Sequence, residues 1–236
     1  MLKMFIENNL EIVKRRIADA AYRSGRNPEE ITLVAVTKNQ QVEDINIVLD
    51  SGVTDIGENR SQELFSKYEA LGSKTDWHFI GHLQRNKVRY IIPFVYLIQS
   101  VDSLELAIEI DKRASKLNKI QDILLEVNVS GEQTKHGFHP DEVESKVEEI
   151  SSLKNVCVRG LMTMAPFIEE AESLREHFAK LKEIFDNLSK KQGFHIEMKY
   201  LSMGMTNDFE IAIEEGSNMV RIGTAIFKTS GGDIHA

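Results

Sequence analysis

Two short segments late in the chain, Ser202-Met203-Gly204 and Arg221-Ile222-Gly223-Thr224, bring together hydroxyls, glycines and a cation. Glycine lets backbone approach an anion closely, and free N–H groups beside a hydroxyl can bind its oxygens. The pattern suits a phosphate site; the plainer reading is that each glycine serves an ordinary turn. Lys38 closes a β-branched run, Ile31–Val36. An isolated lysine at such a place is ordinarily a solvated charge. In a desolvated pocket beside another cation its neutral amine is favoured and can form an imine with a carbonyl. A phosphate site with an imine-forming lysine is equipment for pyridoxal 5'-phosphate (PLP), or for a phosphorylated sugar in a Schiff-base aldolase.

These residues need elements to position them. Ile6, Leu10, Val13, Ile17 and Ala20 recur at helical spacing, which predicts an amphipathic helix from Leu2 to about Arg23. After it, short apolar runs alternate with helical stretches. Strands are expected at 31–36, 53–56, 77–80, 96–99, 123–129, 156–161, 199–202 and 219–222. Helices are expected at 42–49, 60–71, 86–92, 104–117, 141–153, 171–191 and 207–215, with a tail after the last strand. Eight such units in 236 residues suit a single α/β domain, a closed (β/α)8 TIM barrel with an extra N-terminal helix. An open doubly wound sheet is the runner-up, but no Gly-x-Gly-x-x-Gly follows the first strand. The tail at 229–236 is expected to fray.

Active groups in these barrels sit at the C-terminal ends of the strands, and loops after strands seven and eight commonly hold phosphate. Lys38, Asn59, His82, Asp102, Asn128, Met162, Ser202, Gly204, Arg221, Gly223 and Thr224 fall at such ends. Alternation along the fifth strand puts Glu126 and Asn128 on the inner face and Leu125, Val127 and Val129 toward the helices. Arg221 shares the inner face with Gly223. An inward cation needs a partner or a ligand, so a buried Arg221–Glu126 ion pair competes with a ligand role. His78 and His82, or His136 and His139, have metal-like spacing. The intervening Phe79-Ile80 reads as strand rather than helix, and no metal ligands are expected. Cys157 lies early on the sixth strand and reads as a small buried residue rather than a nucleophile.

Composition narrows the classes. Asp plus Glu outnumber Lys plus Arg, 37 to 29, for a net charge of −8, a poor match to non-specific nucleic-acid binding. The N-terminus lacks the apolar stretch of a secretory signal, and no window approaches the roughly 20 apolar residues of a membrane span. The one cysteine forms no internal disulfide and suits a reducing compartment. The expectation is a cytoplasmic protein without membrane or nucleic-acid partners.

Six blocks in order then become diagnostic: Leu33–Lys38; Gly57-Glu58-Asn59 with Gln62-Glu63; His78–Gln84 with Asn86-Lys87; Gly160-Leu161-Met162; Leu201–Met205 with Asp208; and Arg221–Phe227. Spread from Ile31 to Phe227, they resemble the pyridoxal phosphate homeostasis (YggS/PROSC) family, whose barrel is similar to the N-terminal domain of alanine racemase. The resemblance implies PLP held as a Schiff base on Lys38. It implies a phosphate site of Ser202, Gly204, Gly223 and Thr224, with Met203 among the cofactor-binding residues, Arg221 facing the pyridine nitrogen, and Asn59 and Met162 lining the ring site. It also implies a role in vitamin B6 homeostasis rather than conventional catalysis, with PLP-dependent apo-enzymes as candidate recipients. The segment Thr134–Phe138 departs from the family pattern, because His136 is bulkier than the small residue expected there.

Electronics agree with a non-catalytic role. Arginine does not readily give up a proton, so it leaves the pyridine nitrogen unprotonated and the ring a weaker electron sink. A two-base racemase needs a second acid–base group on the opposite face of its substrate. In alanine racemase that is a tyrosine contributed by an additional C-terminal domain and the partner subunit. Here eight units account for the chain, and none of Tyr22, Tyr68, Tyr90, Tyr96 and Tyr200 falls in a strand-end block. The alternative is a PLP-dependent, racemase-like enzyme.

Overall fold

A computed structural model describes residues 2–132, 136–166, 171–191 and 195–228. Eight parallel strands close into a barrel in sequence order, and the last pairs with the first. They are β1 (Thr32–Val36), β2 (Asp55–Glu58), β3 (Asp76–Phe79), β4 (Leu97–Val101), β5 (Gln121–Glu126), β6 (Val156–Met162), β7 (Ile196–Ser202) and β8 (Met219–Ile222). The helices are α1 (Leu2–Arg23), α2 (Val42–Asp50), α3 (Ser61–Leu71), α4 (Val88–Ile91), α5 (Leu104–Ser115), α6 (Val143–Ser151), α7 (Arg175–Ser189), α8 (Phe209–Glu214) and α9 (Thr224–Phe227). No described helix is long and apolar enough to cross a membrane. The tail at 229–236, expected to fray, lies outside the described residues, as do Thr134 and Lys135 of the departing segment.

Strand alternation sorts the side chains into two hydrophobic layers. Leu125, Val127, Val129, Val220 and Ile222 pack outward into the large core beneath the helices. Val34, Leu97, Leu124, Met162 and Met219 fill the barrel interior, with Tyr200 packed against them. Glu126 has the parity of Leu124, and Arg221 that of Met219, so both belong to the inner set.

The N-terminal helix is buried along the predicted face: Ile6, Leu10, Val13 and Ile17 are covered together with Ala20 and Ala21. Each such aliphatic contributes roughly 1.5–3 kcal/mol relative to exposure. α1 packs on α2, α8 and α9. The Asn9 amide donates to the Ile226 carbonyl at 3.0 Å, and Arg16 grips Glu210 through two hydrogen bonds. The extra helix therefore braces the elements that follow β7 and β8, where the candidate anion-binding residues stand.

Candidate functional site

The barrel mouth at β1, β7 and β8 holds a cavity of about 220 Å³ whose lining includes Lys38, Arg221, Gly223, Thr224, Thr206 and Asp208. Four of the sequence-predicted cofactor residues thus meet in one space. Lys38 has the parity of Val34 and Val36, so it leaves β1 toward the mouth. It is exposed, and among the described residues it has no hydrogen bond or ion pair.

Its position is fixed from below. Thr37 is buried and donates to Glu58 Oε1, while the Thr37 carbonyl accepts from Lys67 Nζ at 2.6 Å. Lys67 also donates to Glu58 at 2.6 Å and to Glu63 at 2.7 Å. Glu63 in turn accepts from the Asn39 backbone N–H at 2.6 Å. Asn39 has φ +62°, a left-handed conformation asparagine tolerates. Both residues flanking Lys38 are therefore held by one ionic cluster. Sequence reasoning passed over Lys67; the available signal was the i, i+4 spacing of Glu63 and Lys67 on a helix beginning just after Glu58. Burial pushes the Glu58 carboxyl up, and Lys67 opposes that rise.

Arg221 is 3% exposed. Its Nη1 donates to Ser202 Oγ at 2.5 Å and its Nη2 to the Thr163 carbonyl at 2.8 Å. Ser202 donates to Gln99 Oε1 at 2.7 Å, and the Gln99 amide lies 2.8 Å from His78 Nδ1. His78 Nε2 sits 3.0 Å from Asp55. With Gln99 donating to Nδ1, His78 is the Nε2–H tautomer and donates to Asp55. All donors along this chain point the same way, from the Arg221 cation to the Asp55 anion, so the bonds polarise one another.

Arg221 does not form the ion pair with Glu126 that was considered as its alternative. The two act on each other only through space, as do Arg221 and Asp208. Burial pushes the guanidinium down to about 10, with both carboxylates opposing, so it stays a cation at neutral pH. Glu126 is pushed up to about 7 by burial, aided by the Asp102 charge and opposed by Arg221.

The remaining predicted residues lie around the cavity rather than in its lining. The Ser202 hydroxyl is committed to Gln99 and Arg221, and Met162 and Met203 are fully buried. Gly204 has φ +96°, and an added Cβ would lie 2.7 Å from Ala212 Cβ and 2.8 Å from Phe209 Cα. Glycine at 204 is therefore explained by the close seat of α8. Gly223 makes a different close pass: a Cβ there would sit 3.0 Å from the Val36 carbonyl oxygen, at the cavity wall. Asp208 accepts from the Met205 backbone N–H and fixes the loop after β7. Asn59 stands at the end of β2 with its Oδ1 buried and unpartnered.

Elsewhere, Tyr96 and Tyr200 meet hydroxyl to hydroxyl at 3.1 Å at the opposite end of the barrel, beneath the interior cluster. Tyr22, Tyr68 and Tyr90 lie on or beside the outer helices. Among the described residues, no tyrosine lines the cavity at Lys38. Cys157 is buried, and burial pushes its thiol up, which disfavours the reactive thiolate. His78 and His82 do not converge: His78 belongs to the interior chain, and His82 lies on the rim beside Asp102. His139 caps the short 3-10 helix Pro140–Glu142.

A parallel barrel with an unpaired amine and a buried cation at its mouth defines a class. Residues 7–231 match the family model described as alanine racemase, N-terminal domain. A relative from Aquifex aeolicus (strain VF5), named pyridoxal phosphate homeostasis protein, is 46% identical over 92% of this chain and 95% of its own length. A solved structure from Bifidobacterium adolescentis, described as an unknown protein, has a TM-score of 0.90 at 36% identity and 95% coverage of both chains. PipY of Synechococcus elongatus PCC7942, solved with PLP bound, gives a TM-score of 0.77 at 31% identity, covering 89% of this chain and 99% of its own. The chain belongs to the alanine racemase N-terminal-domain family and, within it, to the pyridoxal phosphate homeostasis proteins.

Proposed function

We propose that this protein binds PLP at the β1–β7–β8 mouth and acts in intracellular vitamin B6 homeostasis, in the cytoplasm, without conventional catalysis. The observation carrying this reading is that Lys38, without a hydrogen bond or ion pair among the described residues, and Arg221, a buried cation bonded to Ser202 and the Thr163 carbonyl, line the same cavity. These residues suit the ligand. Lys38 would hold the aldehyde carbon as a Schiff base, its nitrogen forming the C=N bond as water leaves. Arg221 would face the pyridine nitrogen as a donor. Thr206, Gly223 and Thr224 would receive the phosphate, with Ser202, Met203 and Gly204 supporting them from the preceding loop. The buried, unpartnered amide oxygen of Asn59 supports a polar contact to the ring, with Met162 forming the floor.

When bound, PLP supplies an electron sink. Arg221 limits that sink, because a guanidinium tuned only to about 10 keeps its proton at neutral pH. The cavity lining includes no tyrosine to serve as a second base. A weak sink restricts carbanion chemistry in general, and the lack of a second base among the described lining residues favours storage and delivery over racemisation, with PLP-dependent apo-enzymes as recipients. The test is the visible spectrum of the protein with PLP, followed by incubation with D- or L-alanine. A stable yellow protein without turnover beyond one equivalent is expected. Sustained interconversion of the alanines would make it an enzyme, and absence of any visible band would end the cofactor reading.

A further inference from the structure

The opposite side of the mouth brings together a group to which neither the cofactor reading nor the family resemblance gives a role. His82 follows β3, Asp102 follows β4, and His136 lies on the segment after β5. His82 Nδ1 is 3.1 Å from Asp102 Oδ2, and His136 Nδ1 is 3.6 Å from the same oxygen. One ligand atom from each lies within 4.8 Å of the others, the one such group of three among the described residues. A zinc-like ion takes nitrogen and carboxylate ligands at about 2.0–2.2 Å, which sets its donors about 3 to 3.5 Å apart. The two donor separations from Asp102, 3.1 and 3.6 Å, bracket most of that range.

Hydrogen bonding alone accounts poorly for the trio. One neutral imidazole N–H satisfies Asp102 Oδ2 from His82; at 3.6 Å, His136 is beyond hydrogen-bond reach. The two rings instead stack, with centroids 4.0 Å apart and planes at 17°. Protonating both would set two cations face to face. A metal ion replaces those protons and lets both rings and the carboxylate serve at once. The nearly parallel rings must tilt for their lone pairs to converge, and their side chains, 47% and 57% exposed, have room to do so. His82 and Asp102 also line an open cleft of about 700 Å³, which leaves space for water or a substrate oxygen at a further coordination position.

We propose that His82, Asp102 and His136 form a site for a divalent transition cation of the zinc type, joining His136 to the residues that follow β3 and β4. Two nitrogens and one carboxylate favour such an ion over calcium or magnesium, which take all-oxygen shells. The site shares no residue with the cavity at Lys38 and Arg221.

The test is titration of the untagged full-length protein, freed of excess PLP, with zinc chloride and separately with cobalt(II) chloride in chelator-free buffer. One equivalent of Zn2+ is expected, and bound Co2+ should show the intense visible bands of four- or five-coordination. His82→Ala and His136→Ala should each weaken Zn2+ binding at least about tenfold, while His139→Ala, close by but outside the trio, leaves it unchanged. Both substituted histidines are exposed, so folding is retained, and circular dichroism checks it. Absence of stoichiometric binding, or binding that survives both substitutions, overturns the proposal. The PLP spectrum, read on the same samples, reports the cofactor site separately.

Discussion

The two sides of the barrel mouth are built on opposite plans. On the β7–β8–β1 side the cation is buried, every bond of Arg221 runs to an inner partner, and the turn carrying Lys38 is held from below by Lys67, Glu58 and Glu63. On the β3–β5 side the histidines are half exposed and meet one shared carboxylate. The first arrangement is preorganised: its polar groups cannot relax when a ligand arrives or leaves. The second can rearrange at small cost. An anionic aromatic ligand needs the former, because a buried charge that is already satisfied and oriented costs little further ordering when the ligand binds.

Substitutions can break that contrast. Arg221→Leu should have the largest effect. It leaves Ser202 and the Thr163 carbonyl without their donor and removes the cation, for a stability loss of about 3 kcal/mol by denaturant titration. PLP affinity should fall at least about a hundredfold. An unchanged PLP titration would show that the buried cation does not serve the ligand.

Glu126→Gln comes next, and its effect depends on pH. The native carboxyl titrates near 7 against an ordinary value of 4.5, so between those values the folded state holds a proton that the unfolded chain has lost. Stability contributed by this group is therefore lost as pH rises from about 4.5 to 7. At pH 4, below the ordinary value, wild type and the glutamine variant should melt nearly alike. At pH 8 the variant should be more stable, by about 3 kcal/mol at most. Thermal melts at the two pH values check this, and an equal difference at both would remove the burial argument.

Gly223→Ala is a smaller perturbation, pressing a methyl toward the Val36 carbonyl at the cavity wall. PLP affinity should weaken about tenfold with little loss of stability. Glu63→Ala should be milder still, a few-fold in PLP affinity, because the Asn39 N–H and one donor of Lys67 lose their acceptor while Lys67 keeps its bonds to Glu58 and the Thr37 carbonyl. His82→Ala marks the bottom of the scale and should leave PLP binding unchanged. A large effect there would join the two sides of the mouth into one site.

Much of this architecture is legible from residue order. Apolar alternation identifies the strands because each must face both the barrel interior and the helices. It misplaces β2, expected at 53–56 and found at Asp55–Glu58, because the ladder continues through Gly57 and the inward, charged Glu58. β7 begins at Ile196, earlier than expected, where Glu197 and Lys199 alternate with apolar residues and blunt the signal. α9 falls in the expected tail, because four residues carry no periodicity. At the site, strand-end position and parity find Lys38, Arg221, Gly223 and Thr224. They do not find Gln99, whose role comes from pairing across the barrel with Ser202 and His78, nor the meeting of His82 with His136, which two separate loops create.

The most direct test of the central claim is borohydride reduction of the PLP-loaded protein followed by peptide mapping, with Lys38→Ala treated in parallel. The account predicts a visible band that reduction abolishes, one pyridoxyl group fixed on Lys38, and neither in the variant. A modification on another lysine, or a band and label that persist in Lys38→Ala, would contradict it.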